Sequence, residues 1–295
     1  MSASAAQPVT VQNSATRPGI PGLVVEGIRE ALSRRQLIRY LVQADLRKKG
    51  ADTVLGNVWW VLDPLLQMAV YVILVSVIFA RPQPDYPLFI FAAILPWKWF
   101  TSSVGDSITS VVSQGSLIRQ LQFPKIVLPV AGIFAGVVNF AFGMIPLMGL
   151  LLLLYRDRLS LTLLLIPVIA VVQLVFTLAL GLVLAALNVF VRDVGNIARH
   201  ALRLWFYLSP GLYSIALLEE SDLLQQYPVI LTLLRINPFA ILFEAYRAVI
   251  YGTPEGGPLL PDWAALGALL VVSLGLVLVA IATFKRLEPS FAKVL

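Results

Sequence analysis

Apolar runs separated by short polar turns fill most of this chain, and their spacing is helical throughout. In the segment Ser33–Lys49, apolar side chains recur at Leu37, Ile38, Leu41, Val42 and Leu46 among basic and polar ones, so one face is greasy and the other carries Arg34, Arg35, Arg39 and Arg47. A helix of that kind lies on a membrane surface. After Val54-Leu55-Gly56-Asn57-Val58-Trp59-Trp60-Val61-Leu62-Asp63-Pro64 the chain stays apolar to Ala80, so the surface helix feeds a span through a tryptophan pair. A hydrocarbon core about 30 Å thick takes about 20 apolar residues as a helix. Six stretches qualify: Val58–Ala80, Tyr86–Val111, Ile126–Tyr155, Leu161–Phe190, Ile197–Tyr213 and Ala264–Phe284. The fifth is short and begins with Arg199, His200 and Arg203, which are expected at a membrane-edge turn. Between the fifth and sixth, Val229 to Tyr251 is apolar but broken at Asn237-Pro238. Each half is too short to span, and two short re-entrant helices are predicted, with Glu244 and Arg247 paired three residues apart. A surface loop bearing one amphipathic helix is the other form open to that segment.

Composition agrees with the pattern. The chain has 295 residues, 59% of them hydrophobic and 13% charged, with a mean hydropathy of +0.86. That excludes an ordinary soluble domain and predicts an all-α, polytopic membrane protein. Three regions follow: a flexible cytoplasmic tail over 1–22, an interfacial amphipathic region over 23–57, and a six-span membrane domain over 58–295. The tail is Ala/Ser/Thr/Gln-rich and lacks the apolar core of a signal peptide. The net charge of +6 points to membrane sidedness and not to nucleic acid, because the basic residues sit between spans. A cytoplasmic N-terminus puts sixteen Lys and Arg on one side against five (Arg81, Arg156, Arg158, Arg235 and Arg247) on the other, with Lys98 inside a span. Both termini are then cytoplasmic.

Catalytic chemistry finds no footing. There is no cysteine and a single histidine, His200, so neither a thiolate site nor a histidine-based metal cluster is available. Carboxylates such as Asp63, Asp106, Asp193 and Glu244 are scattered, and no Gly-rich loop ends in Gly-Lys-Ser/Thr. Any ATP-driven action needs a second chain. Ionisable groups within spans are costly and so are functional candidates. Asp63, just before Pro64, is read as a cap for the helix that the proline restarts, with gating or binding as its other possible role. Lys98, in Pro96-Trp97-Lys98-Trp99-Phe100, must snorkel, pair or face a polar cavity. Rings beside such a cavity suit a carbohydrate path, and Ser103 and Asp106 extend its polarity. Two polar turns, around Leu117-Ile118-Arg119 to Phe123-Pro124-Lys125 and around Arg192-Asp193, are short enough to act as levers on a soluble partner.

Taken together, Asp45-Leu46-Arg47, Val54-Leu55-Gly56 with Trp59-Trp60-Val61-Leu62 and Pro64-Leu65, Leu95-Pro96-Trp97, Phe123-Pro124-Lys125 with Leu128-Pro129, Asn188-Val189-Phe190 with Arg192-Asp193-Val194, Leu208-Ser209-Pro210 with Tyr213, Asn237-Pro238, Glu244-Ala245-Tyr246-Arg247-Ala248 and Leu287-Glu288-Pro289 give a specific order and spacing. In these the chain resembles the transmembrane subunit of type-2 ABC exporters for polysaccharides, from about Arg34 to the end. The resemblance implies a homodimer in the bacterial inner membrane, working with two copies of a separate ATP-binding subunit that holds ATP and Mg. It implies that Arg47, Leu117, Arg119, Phe123, Pro124, Arg192 and Asp193 couple to that ATPase. A channel for a polyprenyl-diphosphate-linked, O-antigen-like polysaccharide is implied between protomers. Its candidate lining is Trp59, Trp60, Tyr71, Trp97, Lys98, Trp99, Phe100, Ser103, Asp106, Tyr207 and Tyr213, with Asn237, Glu244 and Arg247 in the external helices. Arg34, Arg35 and Arg39 are expected to meet lipid headgroups. Asn57, Asp63 and Lys98 depart from the family's usual residues, and Lys98 is compatible with an anionic substrate. An ion-gradient-driven transporter and a membrane-embedded glycan or acyl transferase are the alternatives. The first usually has repeated halves, which are absent here, and the second a clustered acid or histidine.

Overall fold

The structure, a computed structural model, describes residues 19–50, 54–78, 84–215, 228–253 and 256–295. The expected tail before Gly19, Arg81 and the middle of the external segment lie outside the described residues. Everything regular among the described residues is helical. Five helices among the described residues are long and apolar enough to cross a membrane: α3 (Trp59–Val72, continued by a π-helical stretch to Ile78), α4 (Tyr86–Ser113), α6 (Val127–Leu153), α7 (Ile166–Phe190, led in by a 3₁₀ stretch from Leu161) and α11 (Trp263–Val294). The chain is a multi-pass membrane protein. Before the first span come α1 (Ile20–Ser33) and α2 (Arg35–Gly50), and α5 (Gly115–Gln120) links α4 to α6. The fifth stretch forms α8 (Val194–Leu208), whose 15 residues fall short of the about 20 a span needs on its own.

Burial explains the arrangement. α4 is the centre of the bundle; Leu88, Ile90, Phe91, Ala92, Ala93, Ile94 and Phe100 have no exposed surface, because α6, α7, α8 and the helix Pro238–Ile250 close around it. α3 leans on this core from outside and keeps an apolar face of Leu66, Val70, Ile73 and Val77 exposed. α8 runs antiparallel beside α4. Near one end Asn188 donates to the Ile108 carbonyl at 3.0 Å and accepts from the Gly195 amide at 3.1 Å. Midway, Trp205 meets Phe100 with centroids 5.9 Å apart, and beyond the helix the Leu212 carbonyl accepts from the Tyr86 hydroxyl at 3.1 Å.

The apolar halves around Asn237-Pro238 are two helices, α9 (Pro228–Ile236) and α10 (Pro238–Ile250). Asn237 caps α10 by accepting from the Phe239 amide at 3.0 Å, and Pro238 supplies the preset φ of a first helical residue. α10 starts halfway along α4, where Phe239 packs 4.7 Å from Trp97, and ends where the Tyr251 hydroxyl donates to the Pro84 carbonyl at 3.1 Å. Nine of its thirteen residues are buried, with Phe239, Phe243, Tyr246, Arg247 and Ile250 along one face, so it packs within the bundle.

α2 does not lie free on a membrane either. Its greasy residues Leu37, Ile38 and Leu41 pack into a hydrophobic cluster with Ile126, Val127 and Val130 of the α6 end, because protein offers them a closer-packed partner than lipid. Arg34, Arg35 and Arg39 are exposed.

Candidate functional site

Two cavities flank α3, and seven of the expected lining residues divide between them. One, of about 380 Å³, lies between α3, α4 and α8 and brings together Tyr71, Trp97 and Tyr207 with Gln67, Thr101, Thr109, Arg199 and Arg203. Arg199, Arg203 and Tyr207 fall four residues apart, so α8 aligns them on one face and all three are exposed. Tyr71 packs 5.9 Å from Phe206. Tyr213 donates to the Tyr207 carbonyl at 3.3 Å. The arginines were assigned by sequence to a membrane-edge turn; the i, i+4, i+8 spacing with Tyr207 was the signal for a lining role. The result is an aromatic groove with two cations at one end.

The second cavity, also about 380 Å³, lies between α3, α4 and α6 and holds Trp59, Trp60, Asp63, Lys98, Trp99 and Asn139. Asp63 and Lys98 form an ion pair across α3 and α4. Asp63 is no cap: α3 has already begun at Trp59, and no side chain caps it. The pairing also revises Lys98, whose charge is matched inside the fold, so it no longer argues for an anionic substrate. Trp60 packs 5.1 Å from Phe142, and Trp99 stacks on Phe140 at 4.7 Å.

Four candidates do not line either cavity: Tyr213, Phe100, Ser103 and Asp106. Phe100 and Ser103 have no exposed surface. Phe100 is locked in an aromatic cluster with Phe176, Trp205 and Phe239, and Ser103 sits where α4 meets Gly136 of α6. Asp106 is spent on Lys49, at 2.6 Å, which Asp45 also holds at 2.9 Å. Burial pulls the Lys49 ammonium down, but Asp106 and Asp45 outweigh it, and its pKa ends above the usual lysine value. This triad fastens the far end of α2 to α4.

At the opposite end of α4, Arg247 and Arg158 act on the backbone. Arg247 is buried and donates to the carbonyls of Pro210 and Gly211, each at 2.6 Å, and of Tyr213 at 3.2 Å. Its guanidinium lies 3.7 Å over the Phe89 ring, and the expected Glu244 partner is 3.4 Å away. Helix α8 stops at Leu208 and leaves those carbonyls without intrahelical partners, so the guanidinium replaces the missing donors. Arg158, also buried, donates to the carbonyls of Tyr251, Thr253 and Gly256 and to Asp85 at 2.9 Å. Halfway along α4, Asn237 accepts from Trp205 Nε1 at 3.0 Å and donates to Ser209 Oγ at 2.8 Å.

The α5 end carries a groove of about 740 Å³ between α1, the segment after α5 and the end of α11. Arg119, Phe123 and Pro124 line it together with Lys125 and Glu288. Leu117 is half-buried nearby on α5, whereas Arg192 and Asp193 are exposed in the α7–α8 turn and Arg47 is exposed on α2. Glu288 ties two quoted motifs together: it accepts from the Lys125 amide at 2.6 Å and pairs with Lys285 at 2.8 Å. Lys285 also holds Glu26 at 3.0 Å and Glu30 at 2.8 Å, docking α1 on α11. No group of three or more His, Cys, Asp or Glu gathers among the described residues.

Comparison with known proteins agrees with this architecture. A model of the ABC-2 type transporter family matches residues 36–251. An O-antigen export system permease protein of Myxococcus xanthus is 34% identical over 90% of this chain and 98% of its own length. Two O-antigen export system permease proteins of Klebsiella pneumoniae are 28% and 26% identical, each over 88% of this chain and 95% of its own length.

Proposed function

This chain belongs to the ABC-2 type transporter family, and from that premise we propose that it is the permease subunit of an ATP-driven exporter for a polyprenyl-diphosphate-linked polysaccharide of O-antigen type. The single observation that carries the reading is the groove between α3, α4 and α8, where Tyr71, Trp97 and Tyr207 share one wall with Arg199 and Arg203. Rings take the CH faces of sugars, and guanidinium forks take phosphate oxygens bidentately. Arg199 and Arg203 therefore join Arg34, Arg35 and Arg39 as candidates for meeting the lipid diphosphate.

In this reading α8 and the Ser209–Tyr213 turn make the sixth crossing, since they follow α4 from Ile108 to Tyr86. The α9–α10 hairpin is re-entrant, reaching Trp97 at mid-depth and returning to Pro84. Both termini then lie on the cytoplasmic side of the inner membrane, where an ATP-binding partner with its ATP and Mg engages α5, Arg119, Phe123, Pro124 and the Arg192-Asp193 turn. Two copies of the chain, paired with two ATPases, enclose the path. The relatives' names support the polysaccharide class, and the groove's chemistry supports the linked diphosphate.

The test is complementation of a strain deleted for this gene. The wild-type chain restores surface glycan, and Tyr71→Ala with Tyr207→Ala or Arg199→Glu with Arg203→Glu leaves lipid-linked glycan inside the cell. Undiminished surface glycan in both double variants overturns the reading.

A further inference from the structure

Glycine is among the most costly residues in a helix interior, because its backbone loses the most freedom and no side chain packs in return. Gly105 stands inside α4 all the same. Other helical glycines have a packing reason: at Gly136, Gly143 and Gly181 an added Cβ would run into Ser103, Leu95 and Ile133 of a facing helix. Gly105 has none, since an added Cβ there meets no atom within 4 Å. Gly149, Gly267 and Gly275 are equally open, but of these four only Gly105 borders a cavity beside α3, the groove that also holds Arg199 and Arg203.

Register sets what Gly105 faces. The bonds of Asn188 bring Gly195 level with Ile108, and the contact of Trp205 with Phe100 fixes a second level along the antiparallel pair. Between those two points Arg199 comes level with Gly105, and Arg203 with Thr101. Thr101 and Thr109, one turn to either side of Gly105, turn their hydroxyls back onto carbonyls of their own helix, Trp97 at 3.0 Å and Gly105 at 3.3 Å. Among the described residues no acidic side chain lines the groove, so its own walls leave both guanidinium charges unmatched. Forks facing such a gap take phosphate oxygens.

We propose that Gly105 is the specificity-determining position of this groove: the space where its side chain is missing receives the phosphate end of a lipid, in front of Arg199, and limits how bulky that end can be. The proposal rests on the lipid-diphosphate reading given above and adds to it the place of the headgroup and the residue that sizes it. A longer side chain fills the space without touching the fold, so binding and stability part company. A glycine kept for packing behaves otherwise, because its substitution damages both.

The experiment uses the full chain in phosphatidylcholine nanodiscs and tritiated farnesyl diphosphate, a short polyprenyl diphosphate, in equilibrium dialysis against empty nanodiscs. The wild type binds it, and inorganic pyrophosphate or phosphatidylglycerol competes more weakly than unlabelled farnesyl diphosphate. Gly105→Ala weakens binding about threefold and Gly105→Leu about tenfold or more. Each raises the thermal unfolding midpoint by about 1–2 °C as helix propensity improves. Gly267→Leu, at an equally open glycine away from the groove, raises the midpoint as well and leaves binding unchanged. Wild-type affinity in Gly105→Leu, or a midpoint that falls together with affinity, overturns the proposal. Pyrophosphate or phosphatidylglycerol competing as well as farnesyl diphosphate assigns the groove to free phosphate or to bulk lipid and overturns it too. If Arg199→Glu with Arg203→Glu abolishes binding while Gly105→Leu does not weaken it, the sizing role of Gly105 falls and the diphosphate reading stands. A Gly105→Leu variant that loses binding yet restores full surface glycan keeps the headgroup site and removes its place in export.

Discussion

Arg247 on α10 places its Nη2 2.6 Å from the carbonyl oxygen of Gly211, three residues past the end of α8. The bond supplies a donor that the helix cannot, since α8 has ended at Leu208. Arg247→Ala strands the carbonyls of Pro210 and Gly211 in a buried site, at about 1–3 kcal/mol each. Arg247→Lys recovers little, because an ammonium cannot reproduce the fork. Thermal unfolding of the purified chain measures both, and a lysine variant as stable as wild type would sink the account.

Asp63 and Lys98 join α3 to the rest of the bundle, and Asp63 is partly open to the cavity. Either single neutral substitution loosens α3, and the exchange Asp63→Lys with Lys98→Asp restores it. A double-mutant cycle should return a coupling of about 0.5–1 kcal/mol, the worth of a partly exposed pair. Zero coupling would mean that the two charges ignore each other.

The Lys49 pKa lies above its unfolded value because Asp106 and Asp45 overcome the cost of burial. A raised lysine pKa contributes stability that is full below the unfolded pKa and is lost as pH rises through the folded one. Docking of α2 should therefore be constant across neutral pH and weaken only above the ordinary lysine range, whereas Lys49→Met should loosen it at every pH. The chain has no native cysteine, so a pair introduced on α2 and α6 reports this directly as a cross-linking rate against pH.

Gly27 lets α1 approach α11 so closely that an added Cβ would lie 2.5 Å from Ile281 Cγ2. Gly27→Leu should lift α1 away despite the Lys285 contacts, at about 1–3 kcal/mol of overpacking. A cysteine at Leu23 then reacts with maleimide about tenfold faster, as a loss of about 1.4 kcal/mol implies. Unchanged labelling would show that α1 tolerates the bulk.

The long helices were legible because their apolar runs are continuous, and the Asn237-Pro238 break was legible because Asn caps and Pro begins a helix. What periodicity could not give was partner choice. Asp106 and Lys98 look alike as polar residues on a span, yet one is held by Lys49 of α2 and the other by Asp63 of α3. Ser103 reads as polar lining because nothing in its spacing reveals that Gly136 lets α6 cover it. The lining role of Arg199 and Arg203 was visible in their four-residue spacing with Tyr207 but was masked by the positive-inside pattern. Glu26 and Glu30, likewise four apart, had no visible partner because Lys285 is far away in sequence.

At fifteen residues α8 measures about 22 Å, against a hydrocarbon core of about 30 Å. Its outward residues Ile197, Leu204 and Leu208 are apolar and exposed. If α8 makes the proposed sixth crossing, lipids beside it meet a hydrophobic mismatch, which is relieved when the bilayer thins locally or water rises toward Ser209 and Pro210. A polar headgroup passing along α8 then faces a dielectric barrier shorter than the one elsewhere in the membrane. In that sense the missing helical turns reshape the solvent as well as the protein.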